Sequence, residues 1–169
     1  MKLHSYLALE IPSPLKERLI NYAKELIYEE ELIEPELWPH ITIRNGILTN
    51  DPKEVASKLG KFFPIRITLG ITTVFDADLS RPTDAVILDV RAPGAKRLRA
   101  QIENTLEVMP PQYYYRPHIT LAFVPPKRGF KYLGSNPFIG DKIILDRVIF
   151  SPLEGNKSVI TRHGEVYEY

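Results

Sequence analysis

Apolar residues recur along this chain with two alternating periods, and each change of period falls at a proline or a glycine. Residues 3–11 read as a strand rich in Leu and closed by Pro12. Ser13-Pro14 then offers an N-cap and a proline at the first helical position. Leu15, Leu19, Ile20, Ala23, Leu26 and Ile27 follow at helical spacing, so the pattern predicts a helix over 14–30. An acidic stretch, 29–36, leads to a second strand at 40–48. Asp51-Pro52 opens a helix expected over 52–63, with Val55 and Leu59 facing inward, and Pro64 closes it. Residues 65–75 supply a third strand, and 76–83, with Arg81-Pro82 at its middle, reads as a linker.

The pattern then begins again. Residues 85–90 read as a strand, 93–107 as a helix with Leu98, Ile102 and Leu106 at core spacing, and 118–124 as a strand. A Pro/Gly-rich loop follows, then two closing strands at 142–150 and 158–161 with a turn at Glu154-Gly155-Asn156. Strand, helix, strand, connection, strand is thus met twice. This predicts a fold of the α+β class: one domain over 1–169 made of two similar lobes, about 1–76 and 84–169. The expected architecture is bilobal and duplicated, with two antiparallel-rich sheets, helices on their outer faces and a central groove.

The two repeats share a tetrapeptide in equivalent slots. Pro39-His40-Ile41-Thr42 and Pro117-His118-Ile119-Thr120 lie 78 residues apart, and they hold two of only four histidines. Side chains two apart on a strand share a face, so each His points the same way as its Thr. One His-x-Thr alone is an ordinary strand pair; its recurrence at matched positions is not. A histidine near its unperturbed pKa of about 6.5 serves as base or acid near neutral pH. Opening a phosphodiester with water needs a base on the nucleophile and an acid on the leaving oxygen, on opposite sides of phosphorus. Two histidines from opposite lobes fit that requirement. Two threonine hydroxyls can donate to the non-bridging oxygens, where charge builds up.

Composition narrows the options. A formal charge of +1 argues against a generally basic nucleic-acid-binding protein, though not against a local basic patch. With no cysteine there are no disulfides and no Cys-ligated metal, and no carboxylate–histidine cluster has ligand spacing. Neither a metal nor another cofactor is therefore expected. The apolar start of the chain is too short for a signal peptide, and no run approaches the roughly 18 apolar residues that span a bilayer. The expectation is a soluble cytoplasmic protein with no membrane partner; the sequence names no protein partner.

These residues resemble the two-histidine (2H) phosphoesterase superfamily, whose hallmark is a pair of His-x-Thr motifs on a bilobal fold. Tyr6-Leu7-Ala8-Leu9-Glu10-Ile11-Pro12, Ile67-Thr68-Leu69-Gly70 and Arg116-Pro117-His118-Ile119-Thr120-Leu121-Ala122 are similar to its bacterial and archaeal 2′-5′ RNA ligase-like branch. The resemblance implies catalytic His40 and His118, phosphate-binding Thr42 and Thr120, and a nucleotide or RNA phosphodiester substrate. Where that branch has Phe-Leu-Gly after its first motif this chain has Arg44-Asn45-Gly46, and Phe123 stands where the branch often has Arg. The expected activity is a metal-independent phosphodiesterase that opens 2′,3′-cyclic phosphates; the alternatives in the same site are a 2′-5′ RNA ligase and a cyclic oligonucleotide phosphodiesterase. A non-catalytic RNA-binding module is the reading from another class.

Further binding residues are expected around the motifs. Arg44 shares the parity of His40 and Thr42 and is a candidate for a phosphate. Arg116 has the same parity with His118, although Pro117 blurs its direction. The resemblance implies that Tyr6 lines the groove, where it would stack on a base. Residues 108–140 carry no acidic side chain but hold Arg116, Lys127, Arg128 and Lys131 among several aromatics, which makes Lys127 and Arg128 candidates for substrate contact. His4 reads as a strand-edge residue and His163 as a solvated turn.

Overall fold

The computed structural model describes residues 4–169; Leu3, the expected start of the first strand, lies outside the described residues. Among the described residues three α-helices and ten strands form an α+β fold with two antiparallel five-stranded sheets. The first sheet runs β10-β9-β8-β1-β3 and the second β2-β6-β5-β4-β7. Their strands are β1 (Tyr6–Glu10), β2 (Glu34–Pro35), β3 (His40–Asn45), β4 (Ile65–Phe75), β5 (Asp84–Arg91), β6 (His118–Val124), β7 (Lys142–Leu145), β8 (Arg147–Ser151), β9 (Ser158–Thr161) and β10 (Val166–Glu168).

The two sheets do not follow the two halves of the chain. β4, from the first half, pairs with β5 in the second sheet, and β8, from the second half, pairs with β1 in the first. Each motif strand lies beside its own lead strand, β3 on β1 and β6 on β5, and the next lead-strand neighbour comes from the opposite half. The stretch expected as one strand over 142–150 is divided for this reason. β7 pairs with β4, β8 pairs with β1, and Asp146 marks the crossing between sheets.

One apolar core serves both sheets. Leu7 and Leu9 of β1, Ile41 and Ile43 of β3, Val86 and Leu88 of β5, and Ile119 and Leu121 of β6 belong to a single buried cluster. Three helices close over it. α1 (Leu15–Leu26) packs against β2 and β6, α2 (Pro52–Leu59) against β9 and β10, and α3 (Pro93–Thr105) against β3 and β4.

Element ends have local causes. α1 stops four residues before the expected 30 because the next turn, Glu29–Glu31, would set three carboxylates at the negative end of the helix dipole. Glu31 instead accepts from Lys131 Nζ and Tyr132 Oη, both at 2.7 Å. α2 stops at Leu59 because Gly60 takes φ 63°. β3 stops at Asn45, short of 48, at Gly46: its φ is 73°, and an added Cβ would sit 2.9 Å from that of Met109.

Candidate active site

Both motif strands carry the same irregularity at the same place. Ala8 pairs with Thr42 and Leu7 with Arg44, so Ile43 is an extra residue in β3. Ile87 pairs with Thr120 and Val86 with Ala122, so Leu121 is the extra residue in β6. These are β-bulges one residue past each threonine. Alternation therefore holds from His to Thr and breaks directly after it: Ile43 and Arg44 are both buried, as are Leu121 and Ala122. The simple parity expected to carry from His40 through Thr42 to Arg44 is thereby lost.

Each histidine is oriented by the backbone that leads into its strand. His40 Nδ1 lies 2.7 Å from the Trp38 carbonyl oxygen, and His118 Nδ1 lies 2.8 Å from that of Arg116. A carbonyl only accepts, so Nδ1 carries the hydrogen in both rings. That leaves each Nε2 as the ring nitrogen able to take or give a proton. β3 and β6 pack on each other, which brings the two half-buried rings to one region. Burial is the chief reason that both pKa values fall below the ordinary histidine value. Positive charge on His40 also counts against charge on His118, as do Arg116 and Arg81, while Lys157 acts on His40 in the same sense.

The surroundings of the two rings differ. His40 stacks on Trp38, with centroids 4.3 Å apart, and on Tyr6 at 6.0 Å. Lys157 Nζ sits over Trp38, Tyr6 and Tyr169 at 4.5, 5.8 and 5.7 Å. The Tyr169 hydroxyl accepts from the Trp38 indole and donates to Glu10, 2.9 Å each. His118 meets the edge of Phe75 at 4.6 Å, and Arg116 lies over the same phenyl at 5.7 Å while pairing with Asp89 at 3.0 Å.

A cavity of about 710 Å³ opens at Thr42 and His118. Arg44, Arg99, Arg116 and Tyr115 are among its walls; His40 and Thr120 are not. Arg44 reaches this cavity although it is 3% exposed. Its guanidinium bonds Glu103 Oε1 at 3.1 Å and the carbonyls of Asn45 and Met109. The Tyr115 hydroxyl donates to the Thr42 carbonyl at 2.8 Å, under the Arg99 guanidinium. Lys127 and Arg128 are not brought to this cavity. They follow the far end of β6, roughly 20 Å along the strand from His118. Gly129 N bonds Asp84 there, and Asp84 pairs with Val124, which keeps the loop at that end. His4 is exposed at the cavity wall and His163 is exposed in a turn. Among the described residues no group of three or more His, Cys, Asp or Glu side chains is placed to hold a metal ion. No described helix is long and apolar enough to cross a membrane.

No protein-family model and no curated protein matches the sequence. Solved structures match the fold over nearly its whole length. E. coli LigT complexed with 3′-AMP is 17% identical, with 98% of this chain and 97% of that one covered and a TM-score of 0.61. The fold is that of LigT. A solved phosphoesterase overlays at a TM-score of 0.62, with 17% identity and 98% and 92% coverage. Usb1 of Kluyveromyces marxianus overlays at 0.55, with 10% identity and 94% and 95% coverage, and has also been solved with uridine monophosphate.

On this LigT-like framework several side chains close to the histidines escaped sequence reasoning. Trp38 had a usable signal, since it stands two before His40 as Arg116 stands two before His118. Phe75, Arg99 and Lys157 had none, because the sheet exchange and a helix from the other half bring them in.

Proposed function

We propose that this protein is a two-histidine phosphoesterase that cleaves nucleotide or RNA phosphodiesters without a metal. The observation that carries the reading is the matched pair of rings, each with Nδ1 held by the carbonyl two residues earlier and Nε2 left for proton transfer. The LigT-like fold supports it, as do the nucleotides held by solved proteins of that fold. In this reading one Nε2 takes a proton from water as its oxygen bonds to phosphorus. The other Nε2 gives a proton to the departing ribose oxygen, and Thr42 and Thr120 hold the non-bridging oxygens. The depressed pKa values keep a neutral, basic form available at mildly acidic pH.

The form we favour is opening of a terminal 2′,3′-cyclic phosphate to a phosphomonoester. Phosphorus NMR of an oligoribonucleotide with that ending tests it in EDTA. The cyclic signal is expected to give way to one monoester signal. A persistent cyclic signal alongside cleavage of 2′-5′-linked oligoadenylate would move the assignment to that linkage.

A further inference from the structure

We propose that Arg99, with the charge of the adjacent Arg44 adding to its own, forms a subsite for a second phosphate of the substrate. The preferred substrate is then a nucleotide chain with at least two phosphates, linear or closed, and not a mononucleoside cyclic phosphate. The proposal rests on the two-histidine reading and names its substrate class.

The argument begins with charge. Arg44 Nε and Arg99 Nε lie 3.1 and 2.7 Å from the same Glu103 oxygen, so one carboxylate serves two guanidinium groups. Both arginine side chains are largely buried, 4% and 16% exposed, and the excess positive charge is shielded from water. Such an arrangement favours an arriving anion. Placement follows. Both arginines line the cavity that holds Thr42 and His118. Arg99 Nη1 donates at 3.1 Å to the carbonyl of Ile43, the bulged residue beside Thr42. Its Nη2 has no protein acceptor among the described residues, which leaves donors for a phosphate oxygen.

The rest of the cavity suits a nucleoside beyond that phosphate. Tyr113 and Tyr114 stand in its wall and are 62% and 102% exposed, offering ring faces on which a base can stack. The acidic side chains of the cavity belong to the 76–83 loop. Of these, the Asp78 carboxylate is already engaged by Tyr113 Oη, Ser80 and the Arg81 amide, and so is turned to its own rim.

The test compares adenosine 2′,3′-cyclic phosphate with the dinucleotide ApA ending in a 2′,3′-cyclic phosphate, and adds cyclic di-AMP to separate closed from linear chains. For the wild type, kcat/KM is expected to favour a two-phosphate substrate by about tenfold or more. Arg99→Gln is expected to cut that preference about tenfold through KM, and Glu103→Gln, which removes the negative charge that the two guanidinium groups share, to raise it. The opposite signs matter, because a merely structural network would give losses on all substrates in both variants. Equal use of one- and two-phosphate substrates, or equal proportional losses in both variants, overturns the subsite and leaves the two-histidine reading standing. Failure of the wild type to turn over any of the three overturns that reading instead. The subsite is then judged by binding of ApA 3′-phosphate against 3′-AMP: tighter binding that Arg99→Gln removes supports it, and equal binding overturns it.

Discussion

His40 and His118 share one local design and two different neighbourhoods. In both, the Nδ1 bond runs to the carbonyl two residues earlier, the Thr follows two residues later, and a bulge comes one residue after that. Around His40 lie stacked aromatic rings with Lys157 above them, whereas His118 has the edge of Phe75 and the ion pair of Arg116 with Asp89. The backbone two residues before each histidine therefore sets ring orientation, and the side chains around each ring set the environment. In the proposed reading the duplicated motif supplies the geometry of proton transfer. Any division of labour between base and acid has to come from the parts that are not duplicated.

Removing either ring is the harshest test of the shared design. His40→Ala and His118→Ala are each expected to lower kcat by about 10²–10⁴ with substrate affinity nearly unchanged. A variant that keeps wild-type turnover would show that the halves are unequal at the chemical step. Thr42→Val and Thr120→Val come next, at roughly 10² in kcat, read from steady-state kinetics. If only one of them matters, the phosphate is held by one lobe.

The different neighbourhoods are sharpened by pH. Both histidines are depressed by burial, so the bell-shaped profile of kcat/KM is expected to lie to the acid side of about 6.5. Lys157→Met removes a charge that opposes protonation of His40, and Arg116→Gln removes one that opposes protonation of His118. Each variant should raise an apparent pKa of the pair, and the two shifts should fall on different limbs if the roles are divided. Stability follows the same sign. The unfolded chain binds protons first as pH falls below about 6.5, so the histidine contribution is complete above that value and is lost towards the lower folded pKa values. Urea midpoints across that range read the loss, and His40→Asn should reduce its slope.

The smallest expected effect is Tyr115→Phe, which removes the tie between the loop before β6 and the Thr42 carbonyl. A loss of about 1 kcal/mol in denaturant unfolding is expected. A much larger loss in kcat than in stability would mark Tyr115 as a group that positions Thr42.

Much of this was legible in the chain because it is local. Period-two alternation marked β3 and β6, helical spacing marked the three helices, and the recurrence of Pro-His-Ile-Thr marked the paired site. What escaped depends on long-range partners. No residue of Ile43 or Leu121 announces a bulge, since the bulge is a mismatch with a partner strand, and it undid the parity argument for Arg44. The strand read over 142–150 is apolar on either side of Asp146-Arg147, and the competing edges of β4 and β1 divide it at that charged pair. The aromatic stretch around Lys127 and Arg128 looked like one patch in sequence, but β6 carries those two residues to the end away from His118.

Chromatographic turnover in EDTA, comparing wild type with His40→Ala and His118→Ala, is the most direct measurement of the central claim. The substrates would be an oligoribonucleotide ending in a 2′,3′-cyclic phosphate, a 2′-5′-linked oligoadenylate and cyclic 3′-5′ di- and trinucleotides. Metal-free cleavage of at least one of them, lost in both variants, is the predicted result. Wild-type cleavage that survives loss of either histidine, or no cleavage of any substrate, would contradict it.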